Sequence, residues 1–402
     1  MAEQTTSTNK LILTVLLCHF LASFTALGMP VFYPTLLAEF LAPKDLNWIG
    51  FYYSLPLICM AVSAPFWGHM ADRYGKRLSL LRAQIGLVFA FLVTGLATNL
   101  YEFTLGLVLQ GLFGGTFAAS NAYLACLVRP SELTKTQNWM QVSARLSLLL
   151  APIVIGSFID ITHPRQLFLY LSLLPLLAAV ITFRLPKQLS EATPVTDVRK
   201  GQSLAIIQAS RTQVSVIQFC FYFATTVTFP YFLPWVQSLQ ALPAQTVGFL
   251  FSLPHLCYLL LMLLPIPALN RADGLRLCHI AIVLFIIANW QQAIMTTSDG
   301  LIFWRLLTGA ALFLGLLGIH KLISALTHAG NSGRQFGWFD AIGKWSAVAA
   351  GMASGVVAQR LGLHSFFTLS NAMLVLAWLM VLYCQFYRIP MFQRTTSPAQ
   401  TK

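Results

Sequence analysis

Charge is scarce in this chain. Only 9% of its 402 residues are Asp, Glu, Lys or Arg, and the acidic ones number 12. A water-soluble domain builds its surface from such residues, but here 57% of the sequence is hydrophobic and mean hydropathy is +0.71. A soluble fold is excluded, and the solvent that suits the chain is a lipid bilayer. Cysteine is sparse as well: the seven, at 18, 59, 126, 220, 257, 278 and 384, form no close pair. Neither a metal site nor a disulfide framework is expected, and these thiols read as helix-packing residues. No paired nucleophile, phosphate-cradling glycine loop or ATP-binding motif is present, so neither an enzyme nor an ATP-driven machine is expected, and no cofactor.

What the chain has in abundance is long apolar runs. A helix of about 20 residues crosses the roughly 30 Å hydrocarbon layer, and a backbone without water must close its hydrogen bonds within such helices. Twelve are expected, near 11–36, 47–69, 78–98, 101–127, 137–160, 167–185, 212–238, 244–268, 276–296, 299–325, 336–359 and 364–386. The first reads as a span rather than a removable leader, because it is long and contains Pro30 and Pro34. The stretch from Pro186 to Arg211, rich in Pro, Ser, Thr, Lys and Arg, is the one long polar segment. It reads as a connector between an N-terminal bundle (1–185) and a C-terminal one (212–402), with a short surface helix around 204–209.

An internal repeat supports that division. A shift of 199 residues lays Trp139 on Trp338, Arg145 on Lys344, Ser147 on Ser346, Ala151 on Ala350 and Gly156 on Gly355, superposing span 5 on span 11. It also lays Gly75 on Gly274 and Arg77 on Arg276. Two such halves around a midplane site are how transporters achieve alternating access.

The net charge of +13 carries topology rather than a nucleic-acid partner. Of the 25 Lys and Arg, only Lys44, Arg165 and Arg360 fall on one side and Arg145, Arg305, Lys321 and Lys344 within spans, which leaves 18 on the other side. That side is expected to be cytoplasmic, with both termini there.

The segment Gly68 to Arg77 is a basic turn between two apolar helices. Gly68, Ala71, Asp72, Arg73, Gly75, Lys76 and Arg77, with Met70 in a Leu position, match the loop between spans 2 and 3 of the major facilitator superfamily. The chain is therefore identified as resembling that family, which implies an all-α fold of twelve spans in two pseudo-symmetric six-helix bundles. It also implies a gate at this loop: Asp72 meets a helix N-terminus of the opposing segment, and Arg73, Lys76 and Arg77 pair with acids or lipid phosphates.

Charges inside spans mark the candidate site, since each costs at least about 2.5 to 3.5 kcal/mol at a helix centre unless it pairs, snorkels or meets water. Asp340 is the one acidic residue expected well inside a span, four residues before Lys344 on one helical face. Arg145 holds the matching place in span 5, and His320 and Lys321 lie near the same depth at the end of span 10. These groups suggest a cavity with surplus positive charge for an anionic cargo, with Asp340 exchanging protons. A structural Asp340 and Lys344 pair with a snorkelling Arg145 is the alternative. His19 is a further candidate for proton work, and His255 a weaker one. Gln110, Ser120, Asn121 and Tyr123 in span 4, and Gln218, Tyr222, Thr225 and Thr226 in span 7, have helical spacing suited to lining a wet cavity or to bonding between helices.

Drug antiporters of this family carry an arginine three residues before the Gln and Gly that stand here as Gln110 and Gly111. Leu107 occupies that place, and an arginine appears in the repeat as Arg305 ahead of Gly309, where it joins Arg145, His320, Lys321 and Lys344 as a candidate for contacting the cargo. Their Gly and Pro motif in span 5 survives in outline as Ser147, Ala151, Pro152, Ile155 and Gly156. The run from Phe336 to Trp345 resembles exporters of carboxylate-type siderophores. Together these imply a monomeric, proton-coupled efflux antiporter of a bacterial inner membrane, needing only a small-molecule cargo, the lipid bilayer and the proton gradient. A proton symporter importing an organic anion, and a non-transporting membrane sensor or assembly partner, are the rivals.

Overall fold

The computed structural model describes residues 2–42, 45, 47–128, 130–161, 163–187, 209–326 and 332–386. The connector expected at 186–211, with its short helix, lies almost wholly outside the described residues. Among those described there is no strand, and 11 helical runs are long and apolar enough to cross a membrane. They are spans 1 (Asn9–Leu37), 2 (Trp48–Tyr74), 3 (Lys76–Leu96), 4 (Leu100–Ala125), 5 (Thr136–Ile159) and 6 (Gln166–Phe183), then 8 (Ala244–Leu263), 9 (Gly274–Ala293), 10 (Leu301–Leu326), 11 (Gly337–Leu361) and 12 (Ser365–Phe386). Span 7 completes the twelve in two pieces, Arg211–Thr226 and Phe232–Leu239.

The break in span 7 has a counterpart in span 1, where the α-helix gives way to a 3-10 turn over Met29–Phe32 before resuming at Tyr33–Leu37. Pro30 and Pro34 lie in the first break and Pro230 and Pro234 in the second. Proline cannot donate a ladder bond and its ring crowds the preceding turn. Helix starts elsewhere are secured by side chains: Ser210 and Gln213 form a capping box, Asn99 accepts from the Glu102 amide at 3.0 Å, and Asp273 accepts from the Arg276 amide at 2.6 Å.

The repeat runs deeper than the 199-residue shift indicates. Gly50, Phe51, Ser54, Leu55 and Pro56 in span 2 recur 198 residues later as Gly248, Phe249, Ser252, Leu253 and Pro254 in span 8. Each proline packs on a glycine of the neighbouring span. A Cβ at Gly111 would stand 2.9 Å from the Pro56 Cα, and one at Gly309 would stand 2.8 Å from the Pro254 Cα. Lipid gives helices no hydrophobic reason to associate, so close approach through small residues supplies the attraction.

The two halves meet along two equivalent seams. Span 2 packs on span 11, where a Cβ at Gly50 would stand 2.9 Å from the Gly355 nitrogen and the Ser54 hydroxyl donates to the Val348 carbonyl at 3.1 Å. Span 8 packs on span 5, where a Cβ at Gly248 would stand 2.6 Å from the Pro152 carbonyl carbon and Ser252 donates to the Leu148 carbonyl at 3.3 Å. Each seam also caps a helix start across the halves: Tyr231 Oη accepts from the Gly50 amide at 3.3 Å, and Asp160 accepts from the Ala244 amide at 3.1 Å. These contacts run from Asn47 and Ala244 at one end of the bundle to mid-depth. Toward the other end, where the Asp72 loop lies, Val62, Phe66, Trp338, Asp340 and Trp345 are exposed. The molecule is closed at the Asp160 end and open at the Asp72 end.

Candidate functional site

A cavity of about 440 Å³ lies beneath the closed end, walled by spans 1, 2, 3, 4 and 5 and completed by Phe229 and Phe251 from the other half. Aromatic and aliphatic side chains dominate it. Pro30 and the kink at Pro56 open the wall so that Tyr33, Tyr53 and Met60 reach it. Of the residues expected from the sequence, His19, Gln110 and Arg145 line it. Among the described lining residues Arg145 is the one Lys or Arg, and none is a carboxylate.

Arg145 is held by the opposite half. Its Nη1 lies 3.1 Å from His255 Nδ1, and its guanidinium stands over the Tyr258 ring at 4.7 Å. An arginine only donates, so His255 Nδ1 accepts and the imidazole proton sits on Nε2. His255 is itself enclosed by the rings of Phe229 and Phe251. His19, also buried, places Nδ1 2.9 Å from the Ser143 hydroxyl, which also reaches the Leu16 carbonyl at 3.0 Å. Two further polar atoms of the wall, Tyr33 Oη and Gln110 Oε1, are buried without a hydrogen-bond partner.

A second group of expected residues gathers toward the open end instead of in the cavity wall. Asp340 and Lys344 form a 2.7 Å ion pair. Asp340 stands inside the candidate span Gly337–Leu361 as expected, and its side chain is 60% exposed there. It sits near the start of the helix Ser332–Leu361, where the parted halves leave it open to water. His320 is likewise exposed. Tyr222 packs its ring on Gly343, whose Cβ position is 3.0 Å from it, and lies within electrostatic reach of both Arg145 and Asp340. Asn121, half-buried with its Oδ1 unpartnered, is not among the residues that line the cavity.

Two expected ligand-binding cations are committed to the backbone. Arg305, fully enclosed, donates from Nε to the Leu250 carbonyl at 3.0 Å and from Nη2 to the Phe251 carbonyl at 2.8 Å. Pro254 has no N–H to give the Leu250 carbonyl, and the arginine takes that place. Its guanidinium also stacks over Phe232 at 4.3 Å. Lys321 donates to the Leu269 and Ala272 carbonyls at 2.7 and 2.8 Å, closing the C-terminal end of the short helix Pro267–Arg271. Neither lines the cavity, so both are corrected from substrate contacts to structural ones.

The motif loop turns at Gly75, whose φ of +97° is open to glycine. Asp72 pairs with Lys76 of its own loop, Arg73 lies beside Tyr74, and Arg77 donates to the Leu185 carbonyl at 2.7 Å at the end of span 6. A Cβ at Gly68 would meet nothing within 4 Å. Arg82, one turn beyond the motif, stacks on Trp67 at 3.8 Å and donates to the Phe113 carbonyl at 2.8 Å. The span 5 remnant works in packing: Gly28 of span 1 abuts Ala151 and Ile155, and Gly156 abuts Ala244.

Tyr33, Tyr53, Phe229 and Phe251 were not singled out from sequence, because which face of an apolar helix looks inward depends on its partners. The recurrent proline kinks were the available signal, since all four residues stand within four positions of Pro30, Pro56, Pro230 or Pro254.

Comparison with known proteins agrees with this geometry. The class B tetracycline resistance protein of Escherichia coli is 30% identical over 196 residues, 48% of each chain. Multidrug resistance protein MdtG of Proteus mirabilis is 27% identical over 214 residues, 52% of each. The chain thus spans about half the length of these curated relatives. Among solved structures, the human organic anion transporter MFSD10 aligns over 93% of this chain and 99% of its own with a TM-score of 0.71 and 16% identity. The inward open xylose transporter XylE of E. coli aligns over 96% and 98% with a TM-score of 0.74 and 14% identity. The family model for the Major Facilitator Superfamily matches residues 15–264. Twelve spans, two pseudo-equivalent halves and a cavity between them complete the case: the chain belongs to the Major Facilitator Superfamily and is a multi-pass membrane protein.

Proposed function

We propose that this transporter moves amphipathic organic anions through the central cavity by alternating access, drawing on the proton gradient. The observation that carries the proposal is the wall: Arg145 is its one Lys or Arg among aromatic rings, with no described lining carboxylate to neutralise it. The unpartnered Tyr33 hydroxyl and Gln110 carbonyl belong to the same wall and supply a donor and an acceptor there. A carboxylate-type siderophore belongs to this class of cargo, although the run that suggested it places Asp340 and Lys344 toward the open end.

The excess of Lys and Arg at the Asp72 end supports placing that end, with both termini, in the cytoplasm of a bacterial inner membrane. The structure then represents an inward-open state, and Asp72 with Arg73, Lys76 and Arg77 would gate that side when the halves close. Two directions suit one site. The tetracycline and multidrug resistance proteins among the relatives favour export in exchange for protons. The cationic wall favours movement of the anion together with a proton.

Proteoliposomes under imposed pH gradients of either sign test both. Naphthalene-2-sulfonate should move faster with a gradient than without, and the sign that accelerates it fixes the direction. Preferential transport of (2-naphthylmethyl)trimethylammonium, the same ring with the opposite charge, would contradict the proposal.

A further inference from the structure

We infer that His255 is the proton-accepting residue of this site, and that it takes up its proton when Arg145 turns to an anionic cargo, so that proton and anion load together. The inference rests on the cavity being an anion site, as proposed above.

Arg145 Nη1 approaches His255 Nδ1 at 3.1 Å across the interface of the two halves. The guanidinium carries only donors, so the contact exists while Nδ1 keeps its lone pair. A proton on Nδ1 would set two donors and two positive charges face to face, in surroundings of Phe229 and Phe251 that screen little. Arg145 and a second proton on His255 are mutually exclusive partners for the same lone pair.

The groups around the pair fix the sign of the coupling. Arg145 from span 5 and Arg305 from span 10 are the charged groups facing His255. Tyr222, Tyr258 and His320 lie around the Arg145 guanidinium. Arg305 is engaged by two backbone carbonyls, whereas Arg145 lines the cavity and His255 lies buried directly behind it, in contact through Nδ1. An anion entering the cavity gives Arg145 a stronger, charge-assisted acceptor than an imidazole. The guanidinium turns to it, Nδ1 is released, and a proton arriving through the open end binds there. The bound anion offsets the new positive charge. Cargo binding thus promotes proton binding, and linkage requires the reverse to hold equally.

The contact also bridges the halves. Arg145 belongs to span 5 and His255 to span 8, the pair of spans whose upper parts form one closure seam. Loading both ligands breaks a cross-link at mid-depth beneath that seam, which ties occupancy of the site to the freedom of the halves to rock.

Calorimetric titration of the purified transporter with naphthalene-2-sulfonate, whose own charge does not titrate, tests this in buffers of differing ionisation enthalpy. Above neutrality the wild type should take up close to about one proton per anion, and its affinity should fall by up to about tenfold per pH unit as pH rises. In His255→Gln the anion should still bind, with neither proton uptake nor that pH dependence. His320→Gln should keep both. Anion binding to the wild type without proton uptake, or with proton release, overturns the inference while leaving the anion site standing. Uptake that persists in His255→Gln, or vanishes in His320→Gln, overturns it by assigning the proton elsewhere, and His320→Gln carries the test if His255→Gln does not fold. Failure of the folded wild type to bind the anion at any pH overturns the anion site itself.

Discussion

The two halves solve the same kink differently. In span 2, Pro56 follows Tyr52 and Tyr53, and the residue that faces it in the repeat from span 4 is Leu107; in span 8, Pro254 follows Leu250 and Phe251, and its counterpart from span 10 is Arg305. The C-terminal kink is filled, with Arg305 bonded to both carbonyls. The N-terminal kink has no such arginine, and Tyr53, Pro56, Leu57 and Met60 around it line the cavity. One half uses its kink to brace the fold, and the other uses it to make room. The same contrast separates two arginines within spans: Arg305 serves the backbone, while Arg145 is held by an imidazole and a tyrosine ring at the cavity edge.

The comparison breaks most visibly at the seams. A Leu in place of Gly248 collides with the Pro152 backbone, and Gly50→Leu should do the same against span 11. Each should leave anion binding from the open end within about threefold of wild type while cutting flux at least about tenfold, because only close glycine contact lets these helices meet. Binding and proteoliposome flux measured on the same preparations check this, and a variant with normal flux would show that the seam need not form and re-form.

Arg305→Leu, which gives the C-terminal kink the N-terminal pattern, should be next in size. Stripping the buried Leu250 carbonyl, which Pro254 cannot serve, of its donor costs about 1 to 3 kcal/mol, visible as a lowered melting temperature in detergent. Anion affinity of the protein that stays folded should change little. A stable Arg305→Leu protein that no longer binds anion would return Arg305 to the site.

Asp340→Asn should have the smallest effect. An exposed ion pair four residues apart on a helix contributes about 0.3 to 0.5 kcal/mol, so stability should hardly move and anion binding should persist. Loss of coupled transport in Asp340→Asn, with proton uptake on binding intact, would make this carboxylate a second proton group at the open end.

Much of the architecture was legible in the sequence, because apolar runs of this length have one use and the motif from Gly68 to Arg77 lies between two of them. The breaks in spans 1 and 7 were visible only as prolines, since twelve continuous runs fit the composition equally well. At the site, a charge in an apolar run singled out Arg145, which lines the cavity together with His19 and Gln110. The same rule misplaced Arg305 and Lys321, whose partners are backbone carbonyls that no side-chain pattern records. The exposure of Asp340 was illegible for another reason: it depends on how far the halves part, which is a property of the conformation. His255 was undervalued because its partner lies 110 residues away on the other half. The 198-residue alignment of Pro56 with Pro254 held the missing information about Arg305, one residue out of step with the 199-residue shift that exposed spans 5 and 11.

The central claim is that Arg145 makes the cavity an anion site, and the most direct measurement is paired binding of naphthalene-2-sulfonate and (2-naphthylmethyl)trimethylammonium to wild type and Arg145→Gln. The account predicts that the wild type prefers the sulfonate, and that Arg145→Gln weakens it about tenfold to a hundredfold, the worth of one hydrogen bond to a charged group, while leaving the ammonium compound unchanged or slightly favoured. Equal sulfonate affinity in both proteins, or a wild-type preference for the ammonium compound, would contradict it.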